Sequence, residues 1–250
     1  MKKIFVTRKL LKENEERLQE LFDAKLNSND QIYTAEEIIK ESKGFDGIFS
    51  SITDPINSDT IKKLSNSIKI IANGAVGFGN IDIEAARERN IAVTNTPDVL
   101  TDATADIQIL LLLGASRKAY EGRIVAETQN WTWSWDLLLG KQMSNKRLGI
   151  LGMGRIGRAV AKRAKAFGME IHYHNRSRLA AELENGAIYH DNLKDLFAKS
   201  EFLSINCPAT PETKKIINKE TLSYLKKNTV VANAATVSYT HLTLPTTPYV

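Results

Sequence analysis

The sequence predicts an α/β protein in which two successive units each contain a parallel sheet. Short apolar runs alternate with amphipathic stretches from the first residues onward, which is the pattern of strands joined by crossover helices. The alternation is interrupted once, near the middle of the 250 residues, by a long helical stretch, and then begins again. A glycine-rich turn follows the first strand of the second series. Together these observations indicate two doubly wound units.

The first series of elements runs to about residue 98. Its apolar runs have the length of strands, and the stretches between them have apolar residues at helical spacing. Strands are predicted over residues 3–7, 47–50, 68–72 and 91–95, and helices over 11–22, 35–42, 59–64 and 82–89. We expect these elements to form one compact unit.

A long helical stretch is predicted over about residues 103–128, and we place the domain boundary just before it, between residues 98 and 99. Its very apolar segment, residues 109–113, should be buried at an interface. Three tryptophans then follow closely, Trp131, Trp133 and Trp135, and such large apolar surfaces need covering. Packing within the chain and a subunit interface both remain open.

The second series supplies strands over residues 147–151, 170–174, 202–206 and 230–233, with helices over 156–167 and 193–199. A doubly wound dinucleotide fold uses about six strands in two halves. The chain therefore supplies roughly four strands of such a fold before its character changes.

Positive charge is concentrated in one part of the sequence. The formal net charge is +5, yet ten Lys or Arg residues and a single acid, Glu170, fall between Lys141 and Arg178. That window also holds the glycine-rich turn. No aromatic and basic interleaving and no helix-turn-helix pattern accompanies the charge, so a phosphorylated small ligand explains it better than nucleic acid.

Composition argues against several other classes. The single cysteine, Cys207, excludes an internal disulfide framework and fits a reducing cytoplasm, and the four histidines lack metal-ligand spacing. The longest aliphatic run, residues 109–113, is far shorter than the ~20 residues that cross a bilayer. We expect a cytoplasmic protein with no metal site and no membrane segment.

The glycine-rich turn has the spacing G-x-G-x-x-G between a predicted strand and a predicted helix. Gly152 permits a sharp turn, Gly154 lets the backbone approach a pyrophosphate, and Gly157 lets the helix pack close to the strand. The helix start favours an anion through its exposed N–H groups and its dipole. The residues predicted to hold the cofactor phosphates are Gly152, Met153, Gly154, Arg155, Ile156 and Gly157.

The end of the next strand selects the cofactor in such folds, because a carboxylate there binds the adenosine ribose hydroxyls. Here the neutral Asn175 takes that place, followed by Arg176, Ser177 and Arg178. Two guanidiniums and a hydroxyl suit a 2′-phosphate. We therefore predict NADP(H) as the cofactor with NAD(H) as second choice, the alternative being an ordinary solvated arginine pair.

With these residues in hand, the chain resembles the D-2-hydroxyacid dehydrogenase family, and within it the glyoxylate/hydroxypyruvate reductases, also called D-glycerate dehydrogenases. The resemblance runs from residue 1 to about Ala235. Besides the glycine turn, its motifs are ANGAVGFGNID at residues 72–82, VTNTPDVLTDATAD at 93–106, NCP at 206–208, PET at 211–213 and VANAA at 231–235.

The resemblance implies a flavodoxin-like substrate domain, residues 1–98, and an incomplete Rossmann-type doubly wound parallel sheet, residues 99–235. It implies NADPH-dependent reduction of glyoxylate or hydroxypyruvate, and a homodimer. The positions that match substrate-binding residues of the family are Val76, Gly77 and Leu100, and those that match further cofactor-binding residues are Thr104, Cys207, Pro208 and Thr213. From the residues alone, Cys207 is a small buried apolar side chain.

The sequence departs from the family where the chemistry would begin. Thr236 and Val237 stand where family members have Arg and Gly, and no later acid and His can be identified, so no catalytic residue is assigned. We do not assign His241 as the acid. His172, His174 and His190 fall around the strand over residues 170–174, where a surface or core role is favoured.

Residues 236–250 contain no charged side chain and no usable periodicity, and they resemble a translated sequencing adapter. We expect the chain to be an amino-terminal fragment with a non-native or disordered tail. Two other functions stay open: a relative acting on another 2-hydroxy acid, such as phosphoglycerate, and a non-catalytic dinucleotide-binding module of the corepressor kind.

Overall fold

The computed structural model describes residues 1–129, 131–208 and 210–235. The chain divides into two compact units, Met1–Val99 and a second unit that begins at Leu100. Each unit has its own five-stranded sheet, and all strand pairs are parallel. The predicted α/β architecture is confirmed. The tail that we predicted over residues 236–250 lies outside the described residues.

The first unit has the sheet order β2-β1-β3-β4-β5. Its strands are β1 (Lys3–Val6), β2 (Asp23–Lys25), β3 (Gly47–Ser50), β4 (Ile70–Asn73) and β5 (Ala92–Thr94), and its helices are α1 (Lys12–Leu21), α2 (Ala35–Glu41), α3 (Ser58–Lys63) and α4 (Ile83–Glu88). The order 2-1-3-4-5 is that of flavodoxin-like folds. The resemblance implied this fold for the unit.

Local signals set the helices of this unit. A capping box joins Thr34 and Glu37 at the start of α2, and the Asp82 side chain accepts a hydrogen bond from the Ala85 N–H at the start of α4. In this unit, the strand β2 was not predicted from the sequence. It is a three-residue edge strand, Asp-Ala-Lys, that is largely exposed, so it has no apolar run to reveal it.

The second unit has the sheet order β10-β9-β6-β7-β8. Its elements are α5 (Thr101–Ser116), α6 (Ala119–Thr128), β6 (Arg147–Leu151), α7 (Arg155–Ala166), β7 (Glu170–His174), α8 (Ala181–Glu184), β8 (Ile188–Tyr189), α9 (Leu193–Lys199), β9 (Phe202–Ile205), α10 (Lys219–Ser223) and β10 (Val230–Asn233). Counted within the unit, the order is 3-2-1-4-5, which matches the start of the dinucleotide-binding order. The two-residue strand β8 is a fifth strand beyond the predicted four.

The helical stretch predicted over about residues 103–128 is helical in the structure, and it consists of two helices, α5 and α6. Lys118 adopts a left-handed conformation, with φ at 53°, and separates α5 from α6. The apolar segment within α5 is also buried on one side only. Ile109 and Leu112 are buried in the core, whereas Leu110 is 60% exposed. A continuous apolar run on a helix cannot place all its side chains on one face.

The tryptophan segment does not pack into the core of the chain. Trp131, Trp133 and Trp135 are all exposed, and Trp133 meets Trp135 edge to face with ring centroids 4.8 Å apart. Packing within the chain therefore leaves most of their surface uncovered. Among the described helices, none is long and apolar enough to cross a bilayer.

Candidate functional site

The glycine-rich turn joins β6 to α7, as its spacing predicted. Gly152 has φ at +90°, and a Cβ there would lie 2.6 Å from the Cys207 nitrogen. A Cβ on Gly157 would collide with the Gly152 carbonyl oxygen. Around Gly154, in contrast, a Cβ would meet no protein atom within 4 Å. Packing within the protein therefore requires glycine at positions 152 and 157. Gly154 instead faces open space.

The turn lies at the carboxyl ends of three adjacent strands. The Gly152 N–H donates to the His174 carbonyl at 3.0 Å, and the Asn206 N–H donates to the Leu151 carbonyl at 2.8 Å. These bonds extend the ladders of β6 with β7 and of β6 with β9 by one step. Ligands of open α/β sheets bind beyond such strand ends.

A cleft of about 660 Å³ lies at this point of the second unit. The predicted cofactor residues that line it are Gly152, Met153, Gly154, Asn175, Arg176, Ser177, Cys207, Pro208 and Thr213. The structure thus brings together the glycine turn, the loop after β7 and the loop after β9, which are far apart in sequence.

The other predicted cofactor residues do not line the cleft. Arg155, Ile156 and Gly157 form the first turn of α7. Thr104 is half-buried in the first turn of α5. The Arg178 guanidinium forms an ion pair with the Glu184 carboxylate. Leu100, predicted for the substrate, directly precedes α5 and is 37% exposed.

Asn175 connects the loop after β7 to the glycine turn. Its Oδ1 accepts a hydrogen bond of 2.6 Å from the Met153 N–H, and Met153 itself is buried. The Tyr189 hydroxyl contacts the Asn175 carbonyl oxygen at 3.4 Å. The Asn175 side chain is therefore held against the glycine-rich turn. No carboxylate lies at this position.

Arg178 forms an ion pair with Glu184 at the end of α8. Its Nε donates to Oε1 at 2.8 Å and its second terminal nitrogen donates to Oε2 at 3.1 Å, while the Tyr173 hydroxyl donates to Oε1 at 2.5 Å. Hydrogen bonds from Arg178 and Tyr173 lower the pKa of Glu184 to about 2. The Tyr173 oxygen also accepts from the Leu179 N–H at 3.1 Å. These contacts fix the far end of the loop.

The loop after β9 is ordered by threonine hydroxyls. Thr213 Oγ1 donates to the Pro208 carbonyl at 2.6 Å and accepts from the Thr210 N–H at 2.7 Å. Cys207 is buried, and its burial raises the pKa of the thiol, so the side chain behaves as the neutral apolar residue expected.

Sequence reasoning missed several lining residues. They are Leu151, His174, Leu179, Asn206, Thr210, Glu212 and Ile216, of which Asn206 and Glu212 stand in quoted motifs without a predicted role. His174 is the last residue of β7 and directly precedes Asn175. This adjacency in sequence could have indicated that His174 lines the cleft. A hydrogen bond with Thr210, and to a lesser degree the charge of Arg176, lower the pKa of the Glu212 carboxyl.

The predicted substrate loop lies in the first unit, just after β4. Asn73 Nδ2 donates to the Gly77 carbonyl at 2.9 Å, and Asn95 Nδ2 donates to the Val76 carbonyl at 2.8 Å. Within the part of the chain that the structure describes, the N–H groups of Val76 and Gly77 have no acceptor. The two available N–H groups, in a loop whose carbonyl oxygens are engaged by asparagine amides, suit an anion.

The described histidines and acids do not gather into a metal site. Over residues 1–129, 131–208 and 210–235, no group of three or more His, Cys, Asp and Glu side chains is arranged to hold a metal ion. His172 lies between Glu170 and His190, at 2.5 and 2.8 Å, and both of its ring nitrogens are engaged by these neighbours.

Comparison with known proteins agrees with this geometry. Residues 109–239 match the family model for the NAD binding domain of D-isomer specific 2-hydroxyacid dehydrogenases. Glycerate dehydrogenase from Hyphomicrobium methylovorum is 37% identical over 237 residues, covering 94% of this chain and 74% of the relative. Glyoxylate reductase from Thermococcus kodakarensis is 38% identical, covering 93% of this chain and 71% of the relative.

The solved structures show the same likeness. The crystal structure of a glyoxylate reductase from Paecilomyes thermophila matches with a TM-score of 0.82 and 33% identity, covering 94% of this chain and 73% of that one. Sequence motifs, strand order, glycine turn and relatives agree. The chain therefore belongs to the D-isomer specific 2-hydroxyacid dehydrogenase family, whose members are NAD(P)-dependent oxidoreductases.

Proposed function

We propose that the cleft beside the Gly152 turn binds NADP(H), with NAD(H) as second choice, and that the protein is an NADPH-dependent reductase of glyoxylate or hydroxypyruvate. The observation that supports the site is the open space around Gly154 at the start of α7, where backbone N–H groups can meet a pyrophosphate. When bound, the cofactor supplies hydride from its nicotinamide ring to the keto carbon.

Preference for NADP(H) rests on the loop after β7. Asn175 presents an amide in place of a carboxylate that would repel a 2′-phosphate, and Arg176 and Ser177 line the cleft beside it. Among the described residues, Arg176 makes no salt bridge, although its charge acts on the Glu212 carboxyl, which also lines the cleft. A guanidinium and a hydroxyl that both face the cleft can bind a 2′-phosphate by charge-assisted hydrogen bonds.

The substrate class rests on the loop after β4 and on the relatives. The N–H groups of Val76 and Gly77 would hold a carboxylate, because the two asparagine amides fix the neighbouring carbonyls. Relatives with this sequence pattern are named glyoxylate reductase and glycerate dehydrogenase. We propose a small 2-keto acid as the substrate, bound with its carboxylate on this loop.

Within the 250 residues, no side chain is assigned as the proton donor or as the cation that polarises the keto group. Reduction of a 2-keto acid needs both. We therefore expect this chain to bind the cofactor with little or no turnover of its own. The single cysteine, Cys207, leads us to propose the cytoplasm as its compartment.

Calorimetric titration of the chain with NADPH and with NADH tests the cofactor assignment. We expect one saturable site that binds NADPH more tightly. Arg176→Gln should weaken NADPH binding roughly tenfold and leave NADH binding within about twofold. Arg158→Gln is a matched control, because Arg158 lies on α7 outside the lining of the cleft. Tighter binding of NADH to the unmodified chain would contradict the proposal.

An assay with NADPH and glyoxylate tests the absence of catalytic residues. We expect no turnover above background from the purified chain. Robust oxidation of NADPH that depends on glyoxylate would show that acid–base groups are present after all.

We further propose that the protein forms a homodimer through the apolar surface of α5, α6 and the tryptophan segment. The exposed large apolar side chains there are Ile107, Leu110, Leu111, Tyr120, Ile124, Trp131, Trp133, Trp135 and Leu139. Monomeric proteins rarely expose so much apolar surface in neighbouring segments. A second copy of the chain would cover it.

A further inference from the structure

In the loop after β7, the side chains of Arg176 and Ser177 line the cleft, whereas the side chain of Arg178 does not. Ser177 and Leu179 both line the cleft, whereas Arg178, between them, does not. Its guanidinium is bound instead by both carboxylate oxygens of Glu184, at 2.8 and 3.1 Å. The sequence, with Arg-Ser-Arg after Asn175, predicted that both arginines would serve the ligand.

The Glu184 carboxylate is well placed to hold this arginine. Its side chain is only 10% exposed, and the buried Tyr173 hydroxyl orients it through a hydrogen bond of 2.5 Å. Arg178 is the exposed partner of the pair, since its side chain is 65% exposed and extends from a loop. If the pair breaks, the anchored carboxylate stays and the guanidinium moves.

We propose that Glu184 is a specificity-determining residue, which holds the Arg178 guanidinium away from the 2′-phosphate of the cofactor and so limits the preference for NADP(H) over NAD(H). This inference rests on the proposed function, because it concerns the same cleft. The Glu184 carboxylate competes with the 2′-phosphate for the Arg178 guanidinium. While the carboxylate is paired with this guanidinium, it weakens the attraction between the guanidinium and the phosphate.

The competition between Glu184 and the 2′-phosphate should lower the affinity for NADP(H) and leave the affinity for NAD(H) nearly unchanged. A carboxylate that accepts two hydrogen bonds from Arg178 must be displaced before the guanidinium can turn to the phosphate. Neutralising Glu184 removes that cost and also removes a negative charge near the phosphate. Both effects favour NADP(H), whereas NAD(H) has a hydroxyl at this position and gains from neither.

The test is the affinity of the full chain for NADPH and NADH, measured by calorimetric titration. Glu184→Gln keeps the size of the side chain and an oxygen that can accept from Tyr173, so the fold should be retained. We expect NADPH to bind about fivefold more tightly than to the unmodified chain, and NADH to change by less than about twofold. Adding Arg178→Leu to this variant should abolish the gain.

Glu182→Gln is the matched control. Glu182 lies two residues earlier in α8 and makes no ion pair with Arg178 in the described part of the chain, so its neutralisation removes the same charge without releasing the guanidinium. An equal gain from Glu182→Gln would overturn the proposal, because net charge alone would then explain the effect. Glu184→Leu provides a second release of Arg178 should the glutamine variant fold poorly.

Two further results would contradict the account in different ways. An unchanged NADPH to NADH ratio in Glu184→Gln, with normal binding to the unmodified chain, would overturn the role of Glu184 alone. Failure of the unmodified chain to bind either cofactor would instead overturn the proposed function, and this inference with it.

Discussion

The backbone N–H of Met153 donates a hydrogen bond of 2.6 Å to Oδ1 of Asn175, across 22 residues of sequence. This bond joins the glycine-rich turn, where we propose that the phosphates bind, to the end of β7, where we propose that the cofactor is selected. The two parts of the proposed dinucleotide site are therefore linked by one side chain. A change at residue 175 should act on both the position of the turn and the choice of cofactor.

Asn175→Asp should reverse the cofactor preference. A carboxylate can still accept the hydrogen bond from Met153, so the turn keeps its position, but its charge repels a 2′-phosphate. We expect NADPH binding to weaken by about tenfold or more while NADH binding is retained. Parallel titrations with the two cofactors measure the change.

Asn175→Ala separates the two effects, because it removes the acceptor for Met153 without adding charge. It should weaken NADPH and NADH binding alike. If Asn175→Asp left NADPH binding unaltered, the adenosine ribose would have to lie elsewhere.

Replacing two glycines of the turn should give opposite kinds of defect. A Cβ on Gly154 meets no protein atom within 4 Å, so Gly154→Ala should fold normally and weaken cofactor binding by roughly tenfold, because the methyl group occupies the place of the pyrophosphate. Gly152→Ala should destabilise the protein by about 2 kcal/mol or more, since it combines positive φ with a backbone clash.

Thermal unfolding and titration of the same two variants check this prediction. Normal cofactor affinity in a well-folded Gly154→Ala variant would show that no phosphate approaches the turn.

The parts of the site that the sequence predicted are those fixed by backbone sterics. The spacing of Gly152 and Gly157 follows from a sharp turn and a close contact between helix and strand. A sequence that forms this turn and this contact needs glycines at both positions. The ion pair of Arg178 with Glu184 could not be predicted, because it depends on how the short helix α8 folds back toward β7. Sequence reasoning saw the charges of Arg176 and Arg178 as equivalent.

The fold shows the same division. Strands with buried apolar runs, such as β6 and β9, were predicted within a residue or two. The short edge strands β2 and β8 carry little apolar signal and were missed. The break at Lys118 was missed as well, because a lysine in the left-handed region has no local sequence signature.

Glu184 should make the stability of the protein depend on pH in the acidic range. Its pKa is lowered from 4.5 to about 2 in the folded chain, first by the hydrogen bond from Arg178. A lowered carboxyl pKa stabilises the fold above pH 4.5, and this stabilisation is lost as the pH falls toward 2. Denaturant unfolding of the unmodified chain and of Glu184→Gln measures the effect.

The difference in free energy of unfolding between these two proteins should shrink steadily over that interval. The exposed Glu182→Gln variant should show no comparable change. A difference that stayed constant with pH would mean that Glu184 is not held by the ion pair.

Leu110→Glu should disrupt the proposed homodimer. Leu110 is 60% exposed on α5, within the apolar surface that a second copy would cover, and a buried carboxylate without a partner is strongly unfavourable there. Light scattering after size-exclusion chromatography should give twice the 27.9 kDa monomer mass for the unmodified chain and the monomer mass for the variant.

Leu21→Glu is the control for this experiment, since Leu21 is an exposed leucine on α1 of the first unit. It should leave the mass unchanged. A monomeric mass for the unmodified chain at all concentrations would contradict the proposed dimer.

The central claim is that a dinucleotide diphosphate lies against the backbone where the Gly152 turn enters α7. A crystal structure of the chain with NADP(H) bound measures this directly. The account predicts the pyrophosphate beside Gly154 and the 2′-phosphate within hydrogen-bond distance of Arg176 and Ser177. A cofactor bound away from the glycine turn, or a 2′-phosphate that points away from the loop after β7, would contradict it.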